Sequence, residues 1–424
     1  MPYRVAAVDI HKNVLIVVIA TGADTVEDPA AEALEFECRR FGTGHSERLQ
    51  LVSWLQEWEV MEVVMESTAQ YWKPIWLDLE PHFPKLHLAQ AQSNRAPKGR
   101  KDDFRDAKRL ARRLLAGELH LSFVPDAEQR MWRTLTRTKQ QLVRNRIQLQ
   151  NQLEALLEDM RIKLSGVISD LLGVSGRRIL RALAQGETDP VKLAELGDER
   201  LECSQEELAD ALQGSPEPLH LTVLKLFLDR LELLDKQIQA LDQLVAQELN
   251  KHEDAVIRVA EMPGFGVDSA QQLIAEIGTE AEAFPSAGAF GSWAGLCPGS
   301  NESAEQNKSS PSPKGNRFVR RILTQAAQAA VKKKGSHSHF QSVFRRLLSR
   351  LGFKGAIWAI AHRLARLVWK ILHDRVRYIE QGTETSPQAR KSRARKLAQA
   401  LRKLGYTVTL TPLPLNAAPA TPSA

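Results

Sequence analysis

At 424 residues the chain exceeds one ordinary domain, and its size points to two to four folding units. A hydrophobic content of 43% and a charged content of 26% are ordinary for globular protein and exclude wholesale disorder. The formal net charge of +7 conceals a polarity: residues 308–403 hold 24 basic and 3 acidic residues, whereas residues 186–305 hold 7 and 24. Such segregation points to a polyanionic partner for the basic part, nucleic acid before membrane surface.

Three widely spaced cysteines, Cys38, Cys203 and Cys297, form no CxxC or Cys/His cluster. They argue against a disulfide framework or zinc site and for a reducing cytoplasm. The apolar run from Val14 to Ala20 follows Asp9 and His11 and is too short for a signal peptide. No stretch reaches the roughly 18 apolar residues that a membrane span requires, so no membrane partner is expected.

Along the chain, Arg4 to Val8 and Val14 to Thr21 are β-rich runs separated by a polar turn, as in a hairpin. Ala33 to Cys38 alternates, with Leu34, Phe36 and Cys38 on one face. A helical pattern covers Ser46 to Trp58, followed by a strand at Glu62 to Met65, a helix at Tyr71 to Leu79 and a strand at Leu86 to Ala89. A basic helix, Asp103 to Leu115, closes a mixed α/β unit. Next, Leu135, Leu142, Leu149 and Leu156 recur every seven residues, and Leu224, Leu231, Ile238 and Val245 alternate with Phe227, Leu234 and Leu241 in an a/d seam. These two helices fit an antiparallel hairpin or an intermolecular coiled coil, and equally two core helices of a bundle.

Pro263-Gly264-Phe265-Gly266, ahead of a helix from Asp268 to Ile277, has the look of a helix-hairpin-helix element. Its glycine turn and helix N-terminus would offer free backbone N–H groups to a phosphate, although an ordinary αα-turn has the same composition. A Ser/Asn/Gly/Pro/Lys-rich loop spans residues 297–316, and a basic helix runs from Arg317 to about Lys334. A long amphipathic helix (Ala356 to Tyr378), a basic stretch around Arg390 to Lys403 and a Pro/Ala-rich, disordered terminus complete the chain.

Four acids occupy suggestive places. Asp9 ends the first strand in AVDIHK, and Glu66 ends the strand EVVME. Asp103 and Asp106 stand three apart in KDDFRDA and share a helix face, with Asp102 as an alternative to Asp103. Convergent carboxylates without Cys or His ligands suit Mg²⁺, and two such ions about 4 Å apart serve phosphodiester chemistry. Residues 95–113 carry nine basic and three acidic residues, as beside a nucleic-acid backbone.

AVDIHK, MESTAQYW, KDDFRDA, MPGFGVDSA, FGSWAGLCPGSNES and KGNRFVRRIL occur in an order that resembles the DEDD transposases of the insertion sequence 110 family. The first ~115 residues resemble an RNase H-like nuclease domain in its Holliday-junction-resolvase (RuvC-like) form. The resemblance implies an α/β RNase H-like domain at residues 1–125, a helical, coiled-coil region at 126–255, a mostly α serine transposase domain with the helix-hairpin-helix-like element at 256–345, and a basic extension at 346–424. It implies a catalytic quartet of Asp9, Glu66, Asp103 and Asp106 binding two Mg²⁺ ions, and a nucleophile at Ser303 in Glu302-Ser303-Ala304. It also implies donor and target DNA, a structured guide RNA, a homodimer or homotetramer, and a prokaryotic cytoplasmic setting at the nucleoid. Downstream of Ser303 the chain departs from the family, with Glu305-Gln306-Asn307 where a Gly-Lys-basic run is usual. Expected nucleic-acid contacts are Arg100, Lys101, Arg105, Lys108, Arg109, Gly264, Gly266, Lys314, Arg317, Arg320 and Arg321. The competing readings are a two-metal, structure-specific endonuclease without a covalent step, and a non-catalytic nucleic-acid-binding remnant.

Overall fold

Val, Ile and Ala crowd the first two strands because both of their faces are covered. A computed structural model describes residues 3–22, 34–66, 69–91, 103–299, 302–303, 306–307, 312, 314–332 and 338–380, with short pieces between 395 and 409. β1 (Arg4–Ile10) and β2 (Val14–Thr21) form the antiparallel hairpin. β3 (Glu35–Gly42) pairs antiparallel with β2, while β4 (Glu62–Glu66) and β5 (Leu86–Ala89) extend the other side of β1 in parallel. A two-residue strand, β6 (Leu121–Ser122), ends a sheet ordered β3-β2-β1-β4-β5-β6. This mixed sheet is the kind that an RNase H-like domain contains.

Alternation sends successive side chains to opposite faces of that sheet. Ala6, Val8, Leu15, Val17, Ile19, Val63 and Met65 pack with Leu51, Leu55, Ile75 and Leu79. The last four come from α1 (His45–Glu57) and α2 (Trp72–Leu79). On the opposite face, Val5, Ala7, Ile16, Val18 and Val64 pack with Ala107, Leu110 and Ala111 of α3 (Asp103–Leu115). Two alanines on the buried stripe of α3 let the helix lie close to the sheet. Even the edge strand obeys the alternation: Arg39 lies over Phe41 and Trp54, and Arg40 lies over Phe104.

The chain divides into two compact units, residues 1–126 and 127–424. In the second, α4 (Ala127–Asp159) and α9 (Pro218–Glu248) pack along each other. Leu149, Leu153 and Leu157 share a cluster with Leu224, Leu231 and Leu234, whereas Trp132 and Val245 share a different one, so the two helices run antiparallel. Arg146–Asp235 at 2.7 Å and the pair Lys139–Asp242 fix the register. The heptad leucines are therefore consumed within the chain. A second seven-residue series on α9, Leu219, Leu226 and Leu233, is exposed.

Four short helices, α5 (Leu164–Val167), α6 (Val174–Ala184), α7 (Pro190–Ala194) and α8 (Gln205–Ala211), close over the far end of this hairpin. Their starts carry local signals: Asp189 accepts from the Val191 N–H ahead of Pro190, and Ser204 and Glu207 form a capping box. The near end joins a larger core built from α10 (Glu253–Ala260), α11 (Val267–Ile277), α12 (Ala287–Trp293), α13 (Arg317–Lys332) and α14 (His339–His373). α14 breaks at Gly352, whose φ is 66°. A two-stranded ribbon, β7 (Glu302–Ser303) with β8 (Gln306–Asn307), lies between α12 and α13 in the sequence. No described helix is long and apolar enough to cross a membrane.

Candidate active site

The side-chain period of the strands puts Asp9 and Glu66 on the α3 face of the sheet. Val5 and Ala7 face α3, so Asp9, two residues on, faces the same side. Val64 faces α3, and Glu66 follows it by the same step. β1 and β4 pair in parallel with Asp9 opposite Glu66, which sets the two carboxylates side by side at the strand ends. α3 begins with Asp103 and Asp106 in its first turn, immediately before the Ala107 and Leu110 contacts that seat it on the sheet.

The electrostatics report the same convergence. Burial pushes the Asp9 carboxyl above its ordinary value; the neighbouring Asp106 and Asp103 push it further and His11 opposes them. Glu66 is likewise raised, first by burial, then by Asp9 and Asp106, against the opposing charges of Arg109 and Arg113. Half-buried like charges favour protonation unless a cation joins them. The donors are carboxylate oxygens plus one imidazole, a set that suits a divalent ion of the Mg²⁺ or Mn²⁺ kind.

The imidazole is that of His11, a residue for which the sequence reading gave no role. Its Nε2 lies 3.2 Å from Asp9 Oδ2. Asp9, His11 and Asp103 can each present a ligand atom within 4.8 Å of the others. The signal was present in AVDIHK, because a residue two beyond Asp9 continues the same face of the strand.

The remaining expected residues fall into several groups. Arg105 is exposed on α3, Lys108 lies with its Nζ 5.2 Å from the Phe36 ring centroid, and Arg109 acts on Glu66. Arg100, Lys101 and the alternative acid Asp102 lie outside the described residues. Gly264 has φ +86°, and a Cβ there would stand 2.0 Å from the Ala326 carbonyl oxygen, so this glycine serves the approach of the turn to α13. Gly266 is exposed at the N-cap of α11, where its N–H donates to Ser269 Oγ at 2.9 Å.

The KGN segment has its own local logic. Lys314 is exposed, while a Cβ on Gly315 would fall 2.3 Å from the Gly295 nitrogen. Asn316 Oδ1 accepts from the Phe318 and Val319 N–H groups, and its Nδ2 donates to Glu276 Oε2 at 2.8 Å. Glu276, only 2% exposed, also accepts from Arg137 Nε at 2.7 Å and has Arg133 Nε at 3.8 Å. Arg317 packs over Phe318, Arg320 over Trp358, and Arg321 donates to Gln272 Oε1 at 2.6 Å. Ser303 sits in the short ribbon opposite Gln306, in the second unit, whereas the quartet is in the first.

Two family models match the chain. One, described as a transposase of the IS110 DEDD type, covers residues 7–162, which include all four acids. The other, the transposase IS116/IS110/IS902 family, covers residues 257–341, which include Ser303 and the KGN segment. A protein of Pseudomonas aeruginosa described as a "Probable family 20 transposase" is 26% identical over 347 residues, 79% of this chain and 89% of its own length. A Sinorhizobium fredii protein described as a "Putative transposase y4pF/y4sB" is 23% identical over 294 residues, 69% of this chain and 67% of its own. The mixed sheet, its acidic cluster and these matches define a transposase, an enzyme that cuts and rejoins DNA. More narrowly, the chain belongs to the IS110 family of DEDD transposases.

Proposed function

We propose that the chain excises and inserts its own element, using Asp9, Glu66, Asp103 and Asp106 as the ligands of two Mg²⁺ ions and Ser303 as the nucleophile. The observation that carries this reading is geometric: β1 and β4 pair with Asp9 opposite Glu66, and Asp103, from the first turn of α3, reaches the same end of the sheet as Asp9. Bound there, the ions would activate an attacking oxygen and stabilise the oxygen that leaves. The protein's part is to orient the carboxylates, which a bound cation would keep ionised. β1 and β4 fix two of them and the first turn of α3 fixes the others.

Attack by the Ser303 hydroxyl oxygen on a DNA phosphorus would form one P–O bond as the bond to a deoxyribose oxygen breaks. The released sugar hydroxyl takes a proton, and the serine's own proton passes to a base. The resulting phosphoserine conserves the phosphodiester until a new strand end reverses the step. The family match across residues 257–341 supports Ser303 in this role. In this reading the exposed Arg105 and Lys314, with the basic residues of 308–403, meet donor and target DNA and a structured guide RNA. A homodimer or homotetramer would handle the several strands, and the exposed Leu219, Leu226 and Leu233 support a second copy on α9.

The test is a strand-exchange assay with protein, cognate RNA, DNA and Mg²⁺, followed by peptide mass spectrometry. A DNA adduct on the peptide containing Ser303, absent in Ser303→Ala and in Asp9→Ala, is the expected result. Recombination retained by Ser303→Ala overturns the serine mechanism. Activity retained by Asp9→Ala and Asp106→Ala overturns the quartet.

A further inference from the structure

His11 adds a nitrogen to a site otherwise built of oxygen. It lies just past the end of β1, and its position is fixed: its backbone N–H donates to the Val14 carbonyl at 3.0 Å, closing the β1–β2 turn. The strand period then directs its ring to the face that Asp9 occupies, and Nε2 reaches within 3.2 Å of Asp9 Oδ2.

Neighbouring ligand atoms of an octahedral ion with bonds of about 2.1 Å stand roughly 3 Å apart. The separation of Nε2 from Oδ2 has that size, and a carboxylate oxygen of Asp103 completes a three-cornered face within 4.8 Å. The ring is 46% exposed at its edge and is not locked into the core, so it can turn onto an ion. A purely structural hydrogen bond between Asp9 and His11 would fit the first distance but gives no account of Asp103 at the third corner.

We infer that His11 Nε2 is a direct ligand of one ion in the acidic site, making that position a mixed nitrogen–oxygen site that binds Mn²⁺ in preference to Mg²⁺. The inference rests on the reading of the quartet as a metal site. Magnesium holds imidazole poorly, whereas softer divalent ions accept it, and Mn²⁺ is one that carboxylates also suit. A position bordered by Asp9, His11 and Asp103 would thereby differ from one held by carboxylates alone.

Mn²⁺ itself is the probe. The full-length protein is titrated with Mn²⁺ by electron paramagnetic resonance, with Mg²⁺ as competitor, and the bound ion is examined by electron spin-echo modulation for a coupled ¹⁴N nucleus. The wild type should show a directly bound imidazole nitrogen. His11→Ala should lose that coupling and bind Mn²⁺ about 10-fold more weakly, with Mg²⁺ affinity changed less than about 2-fold. Circular dichroism and the melting temperature check that the variant folds, and His11→Gln supplies a second replacement that keeps a polar side chain. Bound Mn²⁺ without nitrogen coupling in the wild type overturns the role of His11 and leaves the quartet standing. A wild type that binds neither ion, with Asp103→Asn indistinguishable from it, overturns both.

Discussion

Two groups of buried acid teach different lessons. In the second unit Glu276 is nearly inaccessible, and the protein surrounds it with Arg137, Arg133 and Asn316. In the first unit Asp9 and Glu66 are half-buried among further acids, and burial with mutual repulsion drives both upward despite His11 and Arg109. One carboxylate has its counter-charge built into the fold, so its work is to join α4, α11 and the start of α13. In the other set, among the described residues, His11, Arg109 and Arg113 do not offset burial and the neighbouring acids, which costs stability and favours a cation from outside. Buried acids are separated into scaffold and site by who supplies the compensating charge.

That contrast predicts opposite mutant behaviour. The largest effect is expected for Asp9→Ala, Glu66→Ala and Asp106→Ala, each lowering strand cleavage by about 10⁴-fold, as for other groups that act as a unit, with no loss of melting temperature. A destabilised variant with residual activity would place these acids with Glu276 as structural. Next, Glu276→Ala should lower unfolding free energy by about 2–3 kcal/mol in denaturant titrations, because two guanidinium groups lose their partner. The value falls at the lower end for a buried pair because Arg137 is 39% exposed.

A smaller effect of opposite sign is expected in the first unit. In metal-free protein Asp9→Asn should raise stability by on the order of 1 kcal/mol, a shift of a few degrees in melting temperature. The pH dependence sharpens the same point. Native Asp9 and Glu66 hold their protons more tightly than the unfolded chain does. Their contribution is therefore most favourable below the ordinary carboxylate values of 3.8 and 4.5, and is lost as pH rises through the higher native ones. The stability difference between wild type and Asp9→Asn, measured by thermal melts across that range, should grow with pH and shrink when Mg²⁺ is added. A difference independent of both would remove the electrostatic argument.

Much of the first sheet was legible because Val/Ile runs and strict alternation are local signals. β6 was not, since two residues cannot display a period. The extension of β3 to Gly42 was hidden by Arg39 and Arg40, consecutive charges that each find an aromatic ring on opposite faces. In the middle region Leu149 and Leu224 announced a seam, but the sequence left open which helix fills it, because a partner within the chain and one from a second copy demand the same leucines. The helices between Gly166 and Pro218 escaped reading although Asp189-Pro190 and Ser204 to Glu207 are recognisable starts. For the site, motif and strand-end position singled out Asp9, Glu66, Asp103 and Asp106. Their approach to one another depends on β4 lying beside β1, a long-range pairing that no local pattern encodes. His11 lies one residue past the end of β1, where strand alternation is a weak local signal for where a ring points.

The α4–α9 hairpin sets a length. Its 33- and 31-residue helices span roughly 45–50 Å at 1.5 Å per residue, and it carries one hydrophobic knot at each end. Antiparallel leucines, with the Lys139 and Arg146 ion pairs between them, resist sliding as well as bending. The hairpin thus joins the cap of α5 to α8 and the core of α10 to α14 along one pair of continuous helices.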